Sequence, residues 1–269
     1  MKMRVDRWLT TLGVCSRSEG KSLIRKGGVT VNGRIVRAPE ETAETETDRL
    51  TVGGKPVDGR CVRHVMLHKP GGLLTAARDS KQPTVMDLLP PAYGSIGCMP
   101  VGRLDKDTTG ILILTCDGEM SHRLLAPGRH VEKVYAARVT GRLGEAERQA
   151  FREGIRLSDF TAMPAELEIL EAGAESSLAR VHIAEGKFHQ IKRMFSAVGH
   201  EVTRLHRERF GPLGLDPELP EGAWRELRPD ELAALRAAAG MEEGGRPGEP
   251  ETGDAERVPR EADRGTDDE

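Results

Sequence analysis

Four consecutive aliphatic residues, Ile111-Leu112-Ile113-Leu114, follow directly on a polar stretch flanked by glycines, Gly102 to Gly110. The run lacks the alternation of a half-exposed strand and is short for a helix, so Ile111 to Thr115 reads as a buried strand. Further strands are predicted at Val65 to Leu67, Val134 to Thr140, Glu166 to Leu170 and Leu178 to Ala184. Helical patterns fall between or after them at Gly118 to Leu125, Glu145 to Gly154, Phe188 to Val198 and Asp230 to Ala239. Strands and helices mixed without a regular strand-helix-strand period argue for an α+β fold over a doubly wound sheet.

The first sixty residues have a different texture. Val5, Trp8, Leu9 and Leu12 recur at helical spacing, and Gly13 supplies a stop. Ser16-x-x-Glu19 has the pattern of a capping box and opens a second helix ending at Gly27-Gly28. On it Arg17, Lys21 and Arg25 stand at successive i+4 steps and share one face. Asn32-Gly33 between two β-branched runs is a strong hairpin signal, because both turn residues need positive φ. A last strand-like piece lies near Leu50 to Val52, and Lys55 to Arg63 reads as a linker.

Charge follows the same division. Residues 241 to 269 hold 11 acidic residues and four arginines, a net of −7, so the first 240 carry +4 against −3 for the whole chain. Met1 to Arg37 alone carries +7, from nine Lys/Arg against Asp6 and Glu19, which is the footprint of a polyanion-binding surface. The expected division is residues 1–60, residues 61–239, and a disordered acidic tail at 240–269 that has too little apolar surface to offset its ordering entropy. No run approaches a membrane span and the N-terminus has no signal-peptide core, so a cytoplasmic protein is expected. Cys15, Cys61, Cys98 and Cys116 form no Cys-x-x-Cys pair and have no His at ligand spacing, which indicates neither a zinc site nor a disulfide framework.

The helix, basic helix and hairpin, with Arg4-x-Asp6-x-x-Leu9, Ser16-Arg17 and Gly28-x-Val-x-Val-Asn32-Gly33, resemble the S-four-type (αL) RNA-binding domain. That resemblance implies RNA contacts from Arg4, Arg7, Ser16, Arg17, Lys21 and Arg25.

The chemistry concentrates in Gly102-Arg103-Leu104-Asp105-Lys106-Asp107-Thr108-Thr109-Gly110. A polar loop abutting a buried strand sits at a sheet edge, where a rigid scaffold holds reactive groups. Arg103 and Asp105, two apart, face the same side in extended backbone, and an adjacent Arg keeps a carboxylate ionised as nucleophile or base. By itself this is more often the pattern of a structural ion pair. Asp107 and Asp117 read as turn and capping residues, and His122 as a surface helix residue.

With Thr109-Gly110, this segment resembles the motif around the single catalytic aspartate of pseudouridine synthases. Glu132-Lys133-Val134-Tyr135 is similar to the segment bearing that family's active-site tyrosine, and Glu185 to Met194 to its third motif. His68-Lys69-Pro70-Gly71-Gly72 matches the start of the same domain. The resemblance implies a mixed, mainly antiparallel sheet, with Asp105 as nucleophile beside Arg103, Tyr135 and Lys192. Lys192 would pair with the aspartate and an aliphatic residue would line the uracil pocket. It further implies RNA contacts from Lys187, His189, Arg193, Arg207 and Arg209.

Two departures stand out: Lys192 where other branches place Arg, and Ala136-Ala137 after the tyrosine. The ending His206 to Gly211 is most similar to the branch that modifies ribosomal RNA, especially the small-subunit enzyme. The implied reaction breaks the uridine glycosidic bond, turns the base and rejoins it through carbon 5, with no metal or cofactor. Attack on the sugar, attack on the base and removal of a sugar proton all remain open for the aspartate. A duplex hides the base, so the uridine is expected to be flipped out. The expected partner is ribosomal RNA within an assembling subunit, and the expected state a monomer. The alternatives are a non-catalytic RNA-binding assembly factor and a nucleoside hydrolase, which would need an N-terminal calcium-binding aspartate cluster and ordinarily two carboxylates.

Overall fold

The computed structural model describes residues 1–241. The acidic tail expected from residue 240 lies outside them, apart from Gly240 and Met241.

The N-terminal part runs β1 (Lys2–Arg4), α1 (Val5–Thr11), α2 (Arg17–Arg25), β2 (Val29–Val31), β3 (Arg34–Ile35), β4 (Thr42–Glu44), β5 (Leu50–Val52) and β6 (Lys55–Val57). Ser16 caps α2 in a capping box with Glu19, as its spacing predicts. Asn32 and Gly33 both take positive φ, 52° and 80°, and turn β2 back onto β3. Val5, Trp8, Leu9, Ile24, Val29 and Leu50 bury a core of their own beneath the sheet β3-β2-β5-β6. The predicted linker is shorter than its composition suggests: Lys55–Val57 is a strand on β5, and Cys61 still packs into this core. Pro56 is tolerated because β6 is an edge strand. The acidic stretch after Pro39 contributes β4, which pairs with β1.

The larger part follows with β7 (His64–Lys69), α3 (Pro91–Ser95), β8 (Met99–Pro100), β9 (Thr109–Thr115), α4 (Gly118–Leu125), β10 (Lys133–Thr140), α5 (Glu145–Glu153), β11 (Glu166–Ala172) and β12 (Ser176–Ile183). It ends with α6 (Gln190–Ala197), β13 (Val202–Phe210), β14 (Leu213–Gly214), β15 (Trp224–Glu226) and α7 (Pro229–Ala238). One sheet of order β11-β12-β10-β13-β9-β7-β15 carries β14 on β13 and β8 on β9. Only β13 and β9 run parallel, so the sheet is mixed and mainly antiparallel.

β9 is buried along its whole length. Leu112 and Leu114 pack with Phe151 of α5 and Met194 and Phe195 of α6, whereas Ile111 and Ile113 meet Met120 and Leu124 of α4 and Leu235 of α7. Each such side chain contributes about 1.5 to 3 kcal/mol on burial, which fixes the register of everything attached to β9. β13 is the element least visible in the sequence. Its charged run Arg204 to Arg209 hides buried positions at Leu205, Arg207 and Phe210. No helix among the described residues is long and apolar enough to cross a membrane.

Candidate active site

The loop from Gly102 to Thr108 joins β8 to β9 and is clamped from both sides. Leu104 is buried, and its backbone exchanges two hydrogen bonds with the Thr75 hydroxyl: Oγ1 donates to the Leu104 carbonyl at 2.8 Å and accepts from its N–H at 3.2 Å. Lys69 at the end of β7 is wholly buried and donates to the carbonyls of Pro70, Lys106 and Thr108 at 3.0, 3.1 and 2.9 Å. Burial draws its pKa down to about 8. Gly110 follows with φ 111°, and a Cβ there would lie 2.2 Å from the Arg207 carbonyl oxygen. A side chain at 110 therefore excludes the parallel pairing of β9 with β13, the pairing that brings the loop beside β10.

Asp105 emerges from this clamp with its side chain 25% exposed. One carboxylate oxygen lies 3.5 Å from His189 Nε2 and the other 3.7 Å from Lys192 Nζ. Lys192, expected to pair with Asp105, sits closer to Asp107, at 2.6 and 2.7 Å. Its hydrogen bonds hold Asp107 below the usual carboxylate range. Asp107, read from the sequence as a turn residue, is thus the second carboxylate of a Lys192-centred cluster. Arg103 is exposed, and among the described residues no ion pair joins it to Asp105. Both residues line one cavity, but the two side chains do not pair; the turn closed by Thr108 N–H on the Asp105 carbonyl at 3.1 Å begins only at Asp105.

A cavity of about 60 Å³ lies against Asp105, walled by Tyr135 of β10, Ile183, Ile191 and Leu205, with Arg103, Lys187 and His189 also lining it. Tyr135 is 8% exposed. The third motif opens with a loop rather than a helix turn. His189 takes a left-handed conformation, φ 48°, before α6 begins at Gln190, so it does not share a helix face with Lys192 and Arg193. Gln190 is buried and staples the loop, accepting from Lys187 N–H and donating to Glu185. Beside it Phe188 is 69% exposed and stacks on the His189 ring at 3.8 Å.

The expected RNA contacts divide into exposed and engaged groups. Arg7, Arg17, Arg25 and Arg209 are exposed and Lys21 is half-buried. Ser16 is spent on its cap, and Arg4 forms a two-point pair with the buried Asp6 at 3.0 and 2.9 Å. Arg193 is paired with Asp159 and, like Lys187, lies over the Phe160 ring. Arg207 is a correction to any reading as a surface contact: it is 2% exposed. Its Nε donates to the Ile111 carbonyl at 2.8 Å, and its guanidinium lies 6.0 Å from the Tyr135 ring centre. Lys69, Asp107, Lys133 and Phe188 line or support the site without having been given a role in it from the sequence: Asp107 was read as a turn residue and the other three appeared only within motifs. For Lys69 and Lys133 the available signal was a charged residue inside an otherwise apolar strand segment.

An aspartate clamped at a sheet edge, over an apolar slot closed by a tyrosine and ringed by cations, suits a flat, polar-edged base on a polyanionic strand. Residues 63–197 match the family model described as RNA pseudouridylate synthase, and residues 3–50 match the S4 domain. The chain belongs to the RNA pseudouridine synthases that carry this N-terminal domain.

Among individual proteins, it is 40% identical over 245 residues to ribosomal small subunit pseudouridine synthase A of Pseudomonas aeruginosa, covering 87% of this chain and 100% of that one. It is 39% identical over 234 residues to an uncharacterized RNA pseudouridine synthase of Bacillus subtilis, covering 87% and 98%. A solved crystal structure of a pseudouridylate synthase superposes with a TM-score of 0.61 at 33% identity, over 87% of this chain and 99% of that one.

Proposed function

We propose that this protein converts a specific uridine of small-subunit ribosomal RNA to pseudouridine in the cytoplasm, as a monomer acting on an assembling subunit, with Asp105 as nucleophile. The observation that carries the assignment is the Asp105 carboxylate at the mouth of the slot walled by Tyr135, Ile183, Ile191 and Leu205. The small-subunit target is supported by the Pseudomonas relative and by the His206 to Gly211 segment.

The target uridine leaves its helix and its uracil enters the slot, with Tyr135 against the ring and Ile191 and Leu205 opposite. Flipping costs a few kcal/mol, offset by phosphate contacts from the basic surfaces. Asp105 attacks while the N1–C1′ bond breaks, and the base turns so that C5 faces C1′. The C5–C1′ bond forms as the bond that Asp105 made to C1′ breaks and frees the carboxylate; the C5 proton passes to solvent and N1 gains a proton, so composition is unchanged and nothing is oxidised. Lys192 Nζ at 3.7 Å and His189 Nε2 at 3.5 Å hold the Asp105 carboxylate in orientation. Arg103, free at the surface, engages the strand from which the uridine left. Residues 1–60 hold RNA, and residues 61–239 perform the isomerisation.

Asp105→Asn keeps the shape of the loop and removes the nucleophile. It should fold and bind RNA as the wild type does, yet release tritium from uridine labelled at C5 at least about a thousandfold more slowly. Turnover like that of the wild type would overturn the assignment. Mapping pseudouridine in ribosomal RNA from cells with and without the gene identifies the nucleotide.

A further inference from the structure

Behind Tyr135 a second chamber of about 600 Å³ opens, and most of the charged side chains in its wall are cations. Lys133 and Arg207 line it, with Arg103, Lys187 and His130 also in its wall. Lys133 is 9% exposed and Arg207 2%. Lys133 lies 5.9 Å and Arg207 5.2 Å from the centre of the Phe210 ring. Neither forms an ion pair among the described residues, and Nη2 of Arg207 is buried without any hydrogen-bond partner. The one carboxylate in the wall, Glu185, is occupied: it accepts from the Met163 N–H at 2.7 Å and the Gln190 amide at 2.6 Å.

Buried charges in proteins are paired, or neutralise themselves. Lys133 is pushed toward neutrality, to about 8, by burial and then by Arg207. Arg207 has no such route, because a guanidinium does not deprotonate in a protein. Two buried cations facing one cavity with no anion between them are an incomplete arrangement, and the missing part is an anion. Its identity follows from position. The chamber shares Arg103, Tyr135, Gly186 and Lys187 with the slot beside Asp105, so a base in the slot leaves its ribose and one attached phosphate at the chamber. The guanidinium fork suits phosphate oxygens, and the chamber has the volume of a small-ligand site.

We propose that Lys133 and Arg207 form a built phosphate site that takes one backbone phosphate directly attached to the flipped uridine. The proposal rests on the reading of the slot as a uridine site. Phosphate binding fixes the nucleotide's depth, and through Arg207 against the Tyr135 ring it ties that depth to the base.

The test is calorimetric titration of the full-length protein with uridine, 5′-UMP, 3′-UMP and inorganic phosphate. One of the two nucleotides should bind about tenfold or more tightly than uridine, the value of one charge-assisted hydrogen bond, and the one that does identifies the flanking phosphate. In Lys133→Met that preference should fall to within about twofold while uridine affinity is kept, and Lys133→Met should melt no lower than wild type because a repelling buried cation is gone. Arg207→Lys, which keeps the charge and loses the fork, is the second variant and should lose part of the preference. Equal binding of uridine and both nucleotides overturns the proposal, as does a preference that survives both variants or inorganic phosphate binding as tightly as the preferred nucleotide. Asp105→Asn should retain the full preference. If wild type keeps the preference yet turns over no RNA, the catalytic reading fails and the phosphate site stands.

Discussion

The molecule carries its positive charge in two ways. On α2, Arg17 and Arg25 are exposed and Lys21 lies half-buried, with no ion pair among the described residues. Such cations cost the fold nothing and contact phosphates without regard to sequence, by displacing counterions. Around the slot, Lys69, Lys133 and Arg207 are buried, held by backbone carbonyls or aromatic faces, and among the described residues Nη2 of Arg207 has no hydrogen-bond partner. These are costly to keep and fixed in position. The exposed stripe suits holding RNA, and the buried set suits placing one nucleotide.

The most damaging way to break this contrast is to remove what lets Arg207 come close. Gly110→Ala puts a Cβ 2.2 Å from the Arg207 carbonyl oxygen at φ 111°. It should cost about 3 kcal/mol or more and lower Tm by about 6 to 12 °C, checked by calorimetry. Gly33→Ala in the β2–β3 turn, with open space around its Cβ, should cost only about 1 kcal/mol.

Next is the Lys192 cluster. Lys192→Met leaves Asp105 and Asp107 together without their shared cation and should lower turnover at saturating RNA about tenfold to a hundredfold. Asp107→Asn frees Lys192 for Asp105 and should change turnover by less than about threefold. Equal losses in the two variants would make Asp107, as well as Asp105, essential.

A smaller effect sharpens the exposed side. Replacing Arg17, Lys21 and Arg25 together removes up to about three phosphate contacts, so the slope of log affinity against log salt should become shallower by about two to three. Turnover at saturating RNA should hold while the RNA needed for half-maximal rate rises. A collapse at saturation would mean that the N-terminal domain also positions the uridine.

These two kinds of charge also mark how far the sequence was legible. The α2 stripe was visible because an amphipathic helix repeats, and Ser16, Glu19 and Asn32-Gly33 have local signatures that tertiary structure did not override. β9 was visible because four aliphatic residues admit few alternatives. Asp105 and Tyr135 were singled out by resemblance, and the fold brings both to one cavity. The failures share a cause: partners set by long-range pairing. Lys192 meets Asp107 across 85 residues, Arg207 is buried by contact with Ile111 and Phe210, and the charged face of β13 resembles a solvated strand until β9 and β10 flank it. Periodicity carries no information about such contacts.

The smallest expected effect lies where the two parts meet. Asp58, Arg60 and Arg63 lead from the N-terminal domain into β7, and Glu226 of β15 receives Arg63 directly and Arg60 at 3.1 Å. The Tyr93 hydroxyl donates to the same carboxylate at 3.0 Å, from the helix that packs beside Ile96 and the N-terminal core. Asp58, Arg60 and Glu226 are a third to a half exposed and Arg63 is 12% exposed, so solvent screens most of the network and it is worth about 1 kcal/mol. Glu226→Gln keeps the Tyr93 bond and removes the charge, and should lower Tm by about 2 to 4 °C, less in high salt. Hydrogen bonds from Arg60 hold Asp58 down to about 2, and Arg63 holds Glu226 below its ordinary value against burial. Both are acids whose folded pKa lies below the unfolded one, so their stabilisation is complete above the ordinary carboxylate range and is lost as pH falls through it toward 2. Wild type should therefore lose its advantage over Glu226→Gln on acidification from pH 6 to pH 3, measured as converging denaturation midpoints. A gap that stays constant with pH would assign the contact between the two parts to packing around Tyr93 and Ile96, leaving charge with no role in joining them.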